Sequence, residues 1–242
     1  MQLNLLTRKL ERFVSLDEDD RRYLDEVVKP SRMVAANTDI ITEGDEPSDV
    51  RLVLQGFACR NKITPDGDRQ IMAYLVPGDF CDVHVAILKQ MDHSITTLSD
   101  CQIVEIPIET IDVMMTRPNL AKALWWATLV DEATLREWLV NLGVRDARQK
   151  VAHLFCELLV RLRVVGLANG HEFKLPITQQ DLADTVGLSN VHVNRVLQGM
   201  RSEGLIEYES KVLTIRKLDA LVEISRFNPN YLHLGKTNER EI

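Results

Sequence analysis

Two sets of residues in this 242-residue chain are of types that do chemistry. One is Cys81-Asp82-Val83-His84, followed by His93-Ser94. Cys81 and His84 form a Cys-x-x-His pair, the nearest approach in the chain to metal-ligand spacing. Zinc ribbons and clustered iron–sulfur sites need more ligands, closer together. An enzyme with a metal in a β-barrel would need two or three His converging with a carboxylate. His84 and His93 are the candidates, and neither sits in a His-x-His strand pattern, so no metal site and no enzyme is expected. Cys59, Cys81, Cys101 and Cys156 lie far apart and read as reduced, cytosolic thiols. A thiol switch at Cys81 or Cys59 would need a lowered pKa, for which Arg60 is the suggestive neighbour. Inert buried cysteines are the commoner case.

The second set is Gln179 to Gln198, QQDLADTVGLSNVHVNRVLQ. Thr178 can cap a first helix, with Asp181 three residues on. Leu182, Ala183 and Val186 make its inner face, and Gly187 supplies a left-handed stop. Leu188 faces the core and Ser189 caps a second helix, in which Val193 and Val196 point inward. Asn190, Val191, Asn194, Arg195 and Gln198 are left outside, and amides with an Arg are the side chains that read base edges. Thr178, Gln179, Gln180, Ser189 and His192 sit where phosphate contacts are expected. An ordinary helical hairpin explains the apolar positions but not the small residue, glycine and cap placed together. The pattern reads as a helix-turn-helix for double-stranded DNA.

Other elements must position these sets. From Val34 to Ile108 the chain reads as short strands broken by turns, among them Glu43-Gly44-Asp45, Pro77-Gly78-Asp79 and the hairpin signal Thr64-Pro65-Asp66-Gly67-Asp68. The expected strands are Val34–Thr42, Val50–Leu54, Phe57–Ile63, Arg69–Leu75 and Ile103–Ile108, which suggest a jelly roll. Pro118 to Leu142 predicts one long helix, with Leu120, Leu124, Thr128, Leu135, Trp138 and Leu142 recurring at helical spacing. Its wide apolar arc, with three tryptophans, predicts a homodimer. Asn141-Leu142-Gly143 is a hinge candidate, and Asp146 should cap a helix over Ala147–Val165. After the helix-turn-helix, Ile206 to Ile215 predicts a two-stranded wing.

The net charge of -7 argues against nucleic acid until it is divided. Before Arg145 there are 15 Lys+Arg against 24 Asp+Glu; from there on, 14 against 12. The second half is free to approach phosphate. With no apolar run near ~18 residues and no leader-like segment, the chain is expected to be soluble and cytoplasmic, without a membrane partner.

From Val34 to Ile224 the chain resembles the cyclic-AMP receptor and fumarate–nitrate regulators. Glu43-Gly44-Asp45, Gly56, Pro65-Asp66-Gly67, Gly78-Asp79-Phe80, the long helix and Ile177 to Ile206 carry the likeness. The resemblance implies an α+β chain: a jelly-roll sensor domain with N-terminal helices over 1–117, a dimerisation helix and hinge over 118–143, a winged helix-turn-helix over 144–225, and a tail over 226–242. It implies a homodimer on inverted-repeat operators that recruits or blocks RNA polymerase. Cyclic-nucleotide binders of this family carry Gly-Glu and Arg-Ser-Ala where this chain has Asp82-Val83 and His93-Ser94-Ile95. Leu135 and Arg136 stand where two hydroxyl residues would cover the adenine. The expected effector pocket is therefore Cys81, Asp82, Val83, His84, His93, Ser94, Leu135 and Arg136, and its effector is not cyclic AMP. His84 falls where carbon-monoxide-sensing relatives ligate haem, but their second ligand, an N-terminal Pro, is absent. No cofactor is expected; the effector is an unidentified small molecule or redox signal.

Overall fold

The computed structural model describes residues 4–234. Two short helices come first: α1 (Leu5–Leu10), capped by Asn4, and α2 (Glu18–Val27), capped by Asp17. Each cap accepts from an amide that the helix start leaves free, worth about 1 kcal/mol. Seven strands follow: β1 (Ser31–Val34), β2 (Asp39–Ile41), β3 (Asp49–Gln55), β4 (Ala58–Ile63), β5 (Arg69–Leu75), β6 (Ser94–Thr97) and β7 (Cys101–Pro107). The one-turn helix α3 (Val85–Leu88) lies between β5 and β6. The strands pair antiparallel in two sheets, β1-β7-β3 and β2-β6-β4-β5. Alternation sends Val50, Leu52, Ile95 and Ile103 into the sandwich.

Val34 to Thr42, expected as one strand, is two. Asn37 takes a positive φ of 58°, and the chain changes sheets there. β6 carries little sequence signal, being four residues of mostly hydroxyl side chains after a polar loop.

After α4 (Ile108–Thr116), helix α5 (Pro118–Val144) runs 27 residues, about 40 Å. The hinge expected at Asn141-Leu142-Gly143 is not there. Asn141 is buried, and its amide donates to the Lys150 carbonyl of the next helix at 3.3 Å. That contact carries the helix through Gly143 in spite of its propensity cost of about 1 kcal/mol. The break falls at Arg145, whose backbone is extended. α6 (Ala147–Val164) then starts with a capping box between Asp146 and Gln149.

The C-terminal unit continues with β8 (Ala168–Asn169), β9 (Glu172–Lys174), α7 (Gln179–Val186), α8 (Asn190–Ser202), β10 (Ile206–Glu209), β11 (Val212–Ile215) and α9 (Leu218–Ser225). The wing is one edge of a four-stranded sheet, β10-β11-β9-β8, larger than the expected hairpin. The expected tail from 226 is not a tail over its described part. Phe227, Tyr231 and Leu232 are buried, the 3-10 turn Pro229–Leu232 packs along α5, and the Tyr231 hydroxyl donates to Glu157 at 2.8 Å. Residues 235–242 lie outside the described residues.

Two apolar cores result. One fills the sandwich and takes Leu120, Ala123 and Leu124 from the start of α5. The other fills the C-terminal unit and takes Ala133 and Trp138 from α5 and Cys59, Ile71 and Tyr74 from β4 and β5. α5 is thus a wall shared by both. Among the described residues no helix is long and apolar enough to cross a membrane.

Candidate DNA-reading surface and sensor site

The helix-turn-helix is fixed by three local devices. Thr178 Oγ1 accepts from the Asp181 amide at 3.0 Å, and the Asp181 carboxylate accepts from the Thr178 amide at 2.8 Å. Gly187 ends α7 in the left-handed region, φ 64°. Ser189 accepts from the His192 amide at 3.3 Å to start α8. Val193, Leu197 and Met200 anchor α8, with Val196 half-buried and Leu188 packed at the core's edge. Asn190, Val191, His192, Arg195 and Gln198 are therefore exposed, and Asn194 is half-buried. Val191, an apolar side chain, is 70% exposed. Arg195 makes no ion pair among the described residues.

At the front of α7, Thr178 and Gln180 are exposed and Gln179 is half-buried. Gln180 is already engaged. Its Oε1 accepts from Asn190 Nδ2 at 2.5 Å and its Nε2 donates to Asp184 at 2.5 Å, so it braces the two helices across the turn.

The sensor side holds α7 directly. Arg69 on β5 donates to Asp184 at 2.6 Å and to Asp181 at 2.5 Å, and the Tyr74 hydroxyl lies 2.6 Å from Thr185 Oγ1. Arg161 of α6 donates to Asp79 and to the Tyr74 carbonyl, each at 2.7 Å, and Lys9 also pairs with Asp79. Burial works to raise the Asp79 pKa, but Lys9 and Arg161 outweigh it and hold the carboxylate low. Sequence reasoning singled out none of these links, because each joins residues at least 80 positions apart or lies on an expected turn.

The expected effector residues separate. Asp82 is fully buried and turned into β3, where it accepts from the Arg51 amide at 2.6 Å; burial pushes its pKa up to about 6 against the Arg51 contacts. Val83 packs at the edge of the sandwich core. Ser94 Oγ accepts from the Glu43 amide at 2.9 Å. Leu135 and Arg136 are exposed, and Arg136 pairs with Glu132 on its own helix. The α5 residue that reaches the sensor is Asp131: Arg60 donates to it at 2.7 Å and to the Cys81 and Phe80 carbonyls at 2.9 and 3.2 Å.

The thiols lack the lowered pKa that a switch needs. Burial pushes Cys59 up to about 12, and burial with the Asp82 charge outweighs Arg60 and raises Cys81 well above its ordinary value. Cys81 is not paired with His84. His84 faces His93 instead, ring centroids 5.5 Å apart, and Asp92 completes a group whose ligand-type atoms lie within 4.8 Å of one another. The available signal was a carboxylate directly preceding the second histidine.

The stripe expected to pair two chains is largely used within one. Leu120, Leu124 and Trp138 are buried by their own chain, and the Trp138 indole donates to Glu157 at 2.9 Å. Leu142 is half-buried, and only Thr128 and Leu135 of that stripe are exposed. The outward face of α5 carries Trp125 (63% exposed), Leu129, Leu139 (64%), Val140 and Val144.

Known proteins share both halves. Residues 31–117 match the cyclic nucleotide-binding domain and residues 149–224 the Crp-like helix-turn-helix domain. The transcriptional activator protein FnrL of Cereibacter sphaeroides is 31% identical over 190 residues, 77% of this chain and 76% of that protein. The nitrogen fixation regulation protein FixK of Azorhizobium caulinodans is 27% identical over 213 residues, 81% and 85% of the two chains. Among solved structures, FixK2 from Bradyrhizobium japonicum superposes with a TM-score of 0.73 at 21% identity, covering 81% of this chain and 96% of that one, and so shares its fold. The chain belongs to the Crp/Fnr family of DNA-binding transcription regulators, a family of regulators and not of enzymes.

Proposed function

We propose that the chain works as a cytosolic homodimer that reads an inverted-repeat operator and thereby recruits or blocks RNA polymerase. The carrying observation is the outward face of α8, where amides and one unpaired Arg stand exposed on a helix anchored by Val193, Leu197 and Met200. Arg195 pairs a guanine O6/N7 edge, Asn190 and Asn194 pair adenine edges, and Gln198 extends the row. Val191, unable to accept from cytosine N4, offers methyl contact to thymine. Thr178, Gln179, Ser189 and His192 face phosphate, with Gln180 contributing through its brace to Asn190. Two copies join along Trp125, Thr128, Leu129, Leu135, Leu139 and Val140, a broad apolar face of the kind that marks interfaces.

The effector differs from cyclic AMP. Asp82 is spent on Arg51, Val83 cannot hold a ribose hydroxyl, and neutral His93 is a poor phosphate partner. Calorimetric titration with millimolar cyclic AMP should give no saturable heat. The function itself is tested by operator selection from random DNA. Wild type should enrich a two-fold symmetric site, half-sites about 34 Å apart, with a guanine that Val191→Glu retains and a neighbouring position that it shifts toward cytosine. An unenriched pool overturns the reading; identical motifs overturn the helix register.

A further inference from the structure

His84 and His93 lie on two separate segments, the entry to α3 and the loop before β6, which the fold brings face to face. His93 is nine-tenths buried. Its Nδ1 lies 2.6 Å from Asp92 Oδ1, while its Nε2 and that of His84 are both shut off from solvent with no hydrogen-bond partner among the described residues. An orphaned buried imidazole nitrogen is costly, and two of them side by side form an unusual arrangement for a side-chain pair with no ligand. Burial lowers the pKa of both rings, with Arg60 adding to the effect.

We infer that His84 and His93, with Asp92 behind His93, form a site for one borderline divalent transition-metal ion, of the zinc or ferrous type. Imidazole nitrogens select that class over magnesium or calcium, which prefer all-oxygen ligands. The donor atoms span at most 4.8 Å, and side-chain rotation closes that to the edge of about 3.4 Å expected for bonds of ~2.1 Å. Asp92 supplies the negative charge and, through His93 Nδ1, the orienting contact that ligating histidines characteristically have. Its carboxylate is largely exposed, leaving a path for the ion and for completing waters. Arg60 and Lys62 lie close enough for their charge to oppose a cation, but each is partly offset by a carboxylate, Asp131 and Glu43 respectively. The inference stands apart from the DNA-binding reading, since binding is read without DNA.

Full-length metal-free protein titrated with Co²⁺ should show one saturable equivalent per chain, with visible d–d absorption, displaced by Zn²⁺. His84→Ala with His93→Ala should abolish that band, and Asp92→Asn should weaken binding about 10–100-fold. His171→Ala with His233→Ala, exposed histidines elsewhere, should leave it unchanged. Circular dichroism of each variant establishes that it is folded. Should His84→Ala or His93→Ala unfold the chain, wild-type protein itself decides: stoichiometric Zn²⁺ should shift the ring ¹⁵N resonances of both imidazoles. The inference is overturned by absence of a saturable equivalent, by a band that survives in the folded double variant, or by His84 and His93 resonances that Zn²⁺ leaves unchanged.

Discussion

The reading helix and the sensor core handle polar groups in opposite ways. On α8, Arg195 and Gln198 point outward from an apolar anchor, and Asn190 is engaged only by its brace to Gln180. In the sensor, and along the helices that face it, the polar groups turn inward: Asp82 onto Arg51, Arg60 onto Asp131, Asp79 onto Arg161 and Lys9, and Trp138 and Tyr231 onto Glu157. Outward groups can change while the fold is unaffected, so they are free to specify a partner. Inward groups are bound up with stability, because breaking one leaves a buried charge or donor unsatisfied. The difference predicts which substitutions alter binding alone and which alter the fold.

The outward face of α5 gives the largest effect. Leu129→Glu with Leu139→Glu should yield folded monomers and lower operator affinity 100-fold or more, since joining two half-site contacts in one dimer is lost. Leu124→Glu should instead unfold the sensor, because Leu124 is buried in the sandwich core. Sedimentation with thermal melts separates the two outcomes. A folded monomer from Leu124→Glu, or a dimer from the outward pair, would reverse the assignment of faces.

Arg195→Ala comes next. It should cost about 1–3 kcal/mol on the selected operator, much less on random DNA, and leave the melting temperature within a degree or two. Equal losses on both DNAs would make Arg195 a phosphate contact.

What the sequence disclosed follows the same division. The helix-turn-helix was legible because its devices are local: Thr178, Asp181, Gly187 and Ser189 lie within twelve residues and each acts on its neighbours. The sandwich was legible from its turns, less so from β6, which has one buried apolar residue of weight, Ile95. The buried side of α5 was misread because a periodic apolar stripe does not say which body covers it. Leu120 and Leu124 are covered by the sandwich and Trp138 by α6. The pairing of His84 with His93, and of Arg69 with Asp181, depends on how two sheets and a helix stack, which no short window contains.

His153 tests an inward group by pH. It is enclosed by the Phe227 and Tyr231 rings, and the Glu137 carboxylate 3.3 Å from its Nε2 is itself held by Arg145 at 2.5 Å. Burial, with the Arg145 charge behind it, pushes its pKa down to about 3 from 6.5. Between those values the unfolded chain binds a proton that the folded chain refuses. Its contribution to stability is therefore intact above pH 6.5 and is lost as pH falls toward 3, by up to about 1.4 kcal/mol per pH unit. His153→Phe should flatten the stability profile of denaturant melts by that slope between pH 6.5 and 5, with operator specificity unchanged. Parallel profiles for the two proteins would mean that the imidazole charges within the fold.

Gln180 sits on the boundary between the two classes, and its effect should be the smallest. From sequence position it is a phosphate contact; in the fold it links Asn190 to Asp184. A phosphate contact contributes alike to every DNA sequence, whereas a brace acts only through the base that Asn190 meets. The Gln180 amide is exposed, so its loss should cost little stability and about 0.5–1 kcal/mol of operator affinity, the net worth of an ordinary hydrogen bond. The loss should be confined to one symmetric pair of operator positions, and it should vanish on operators already mutated there. Asn190→Ala should remove the same preference, and the double variant should add nothing further, since the two side chains act in series. Affinity measured across a panel of single-base operator variants decides it. A uniform loss across the panel, with a shallower dependence on salt, would return Gln180 to the phosphate backbone and leave Asn190 to be positioned by its cap alone.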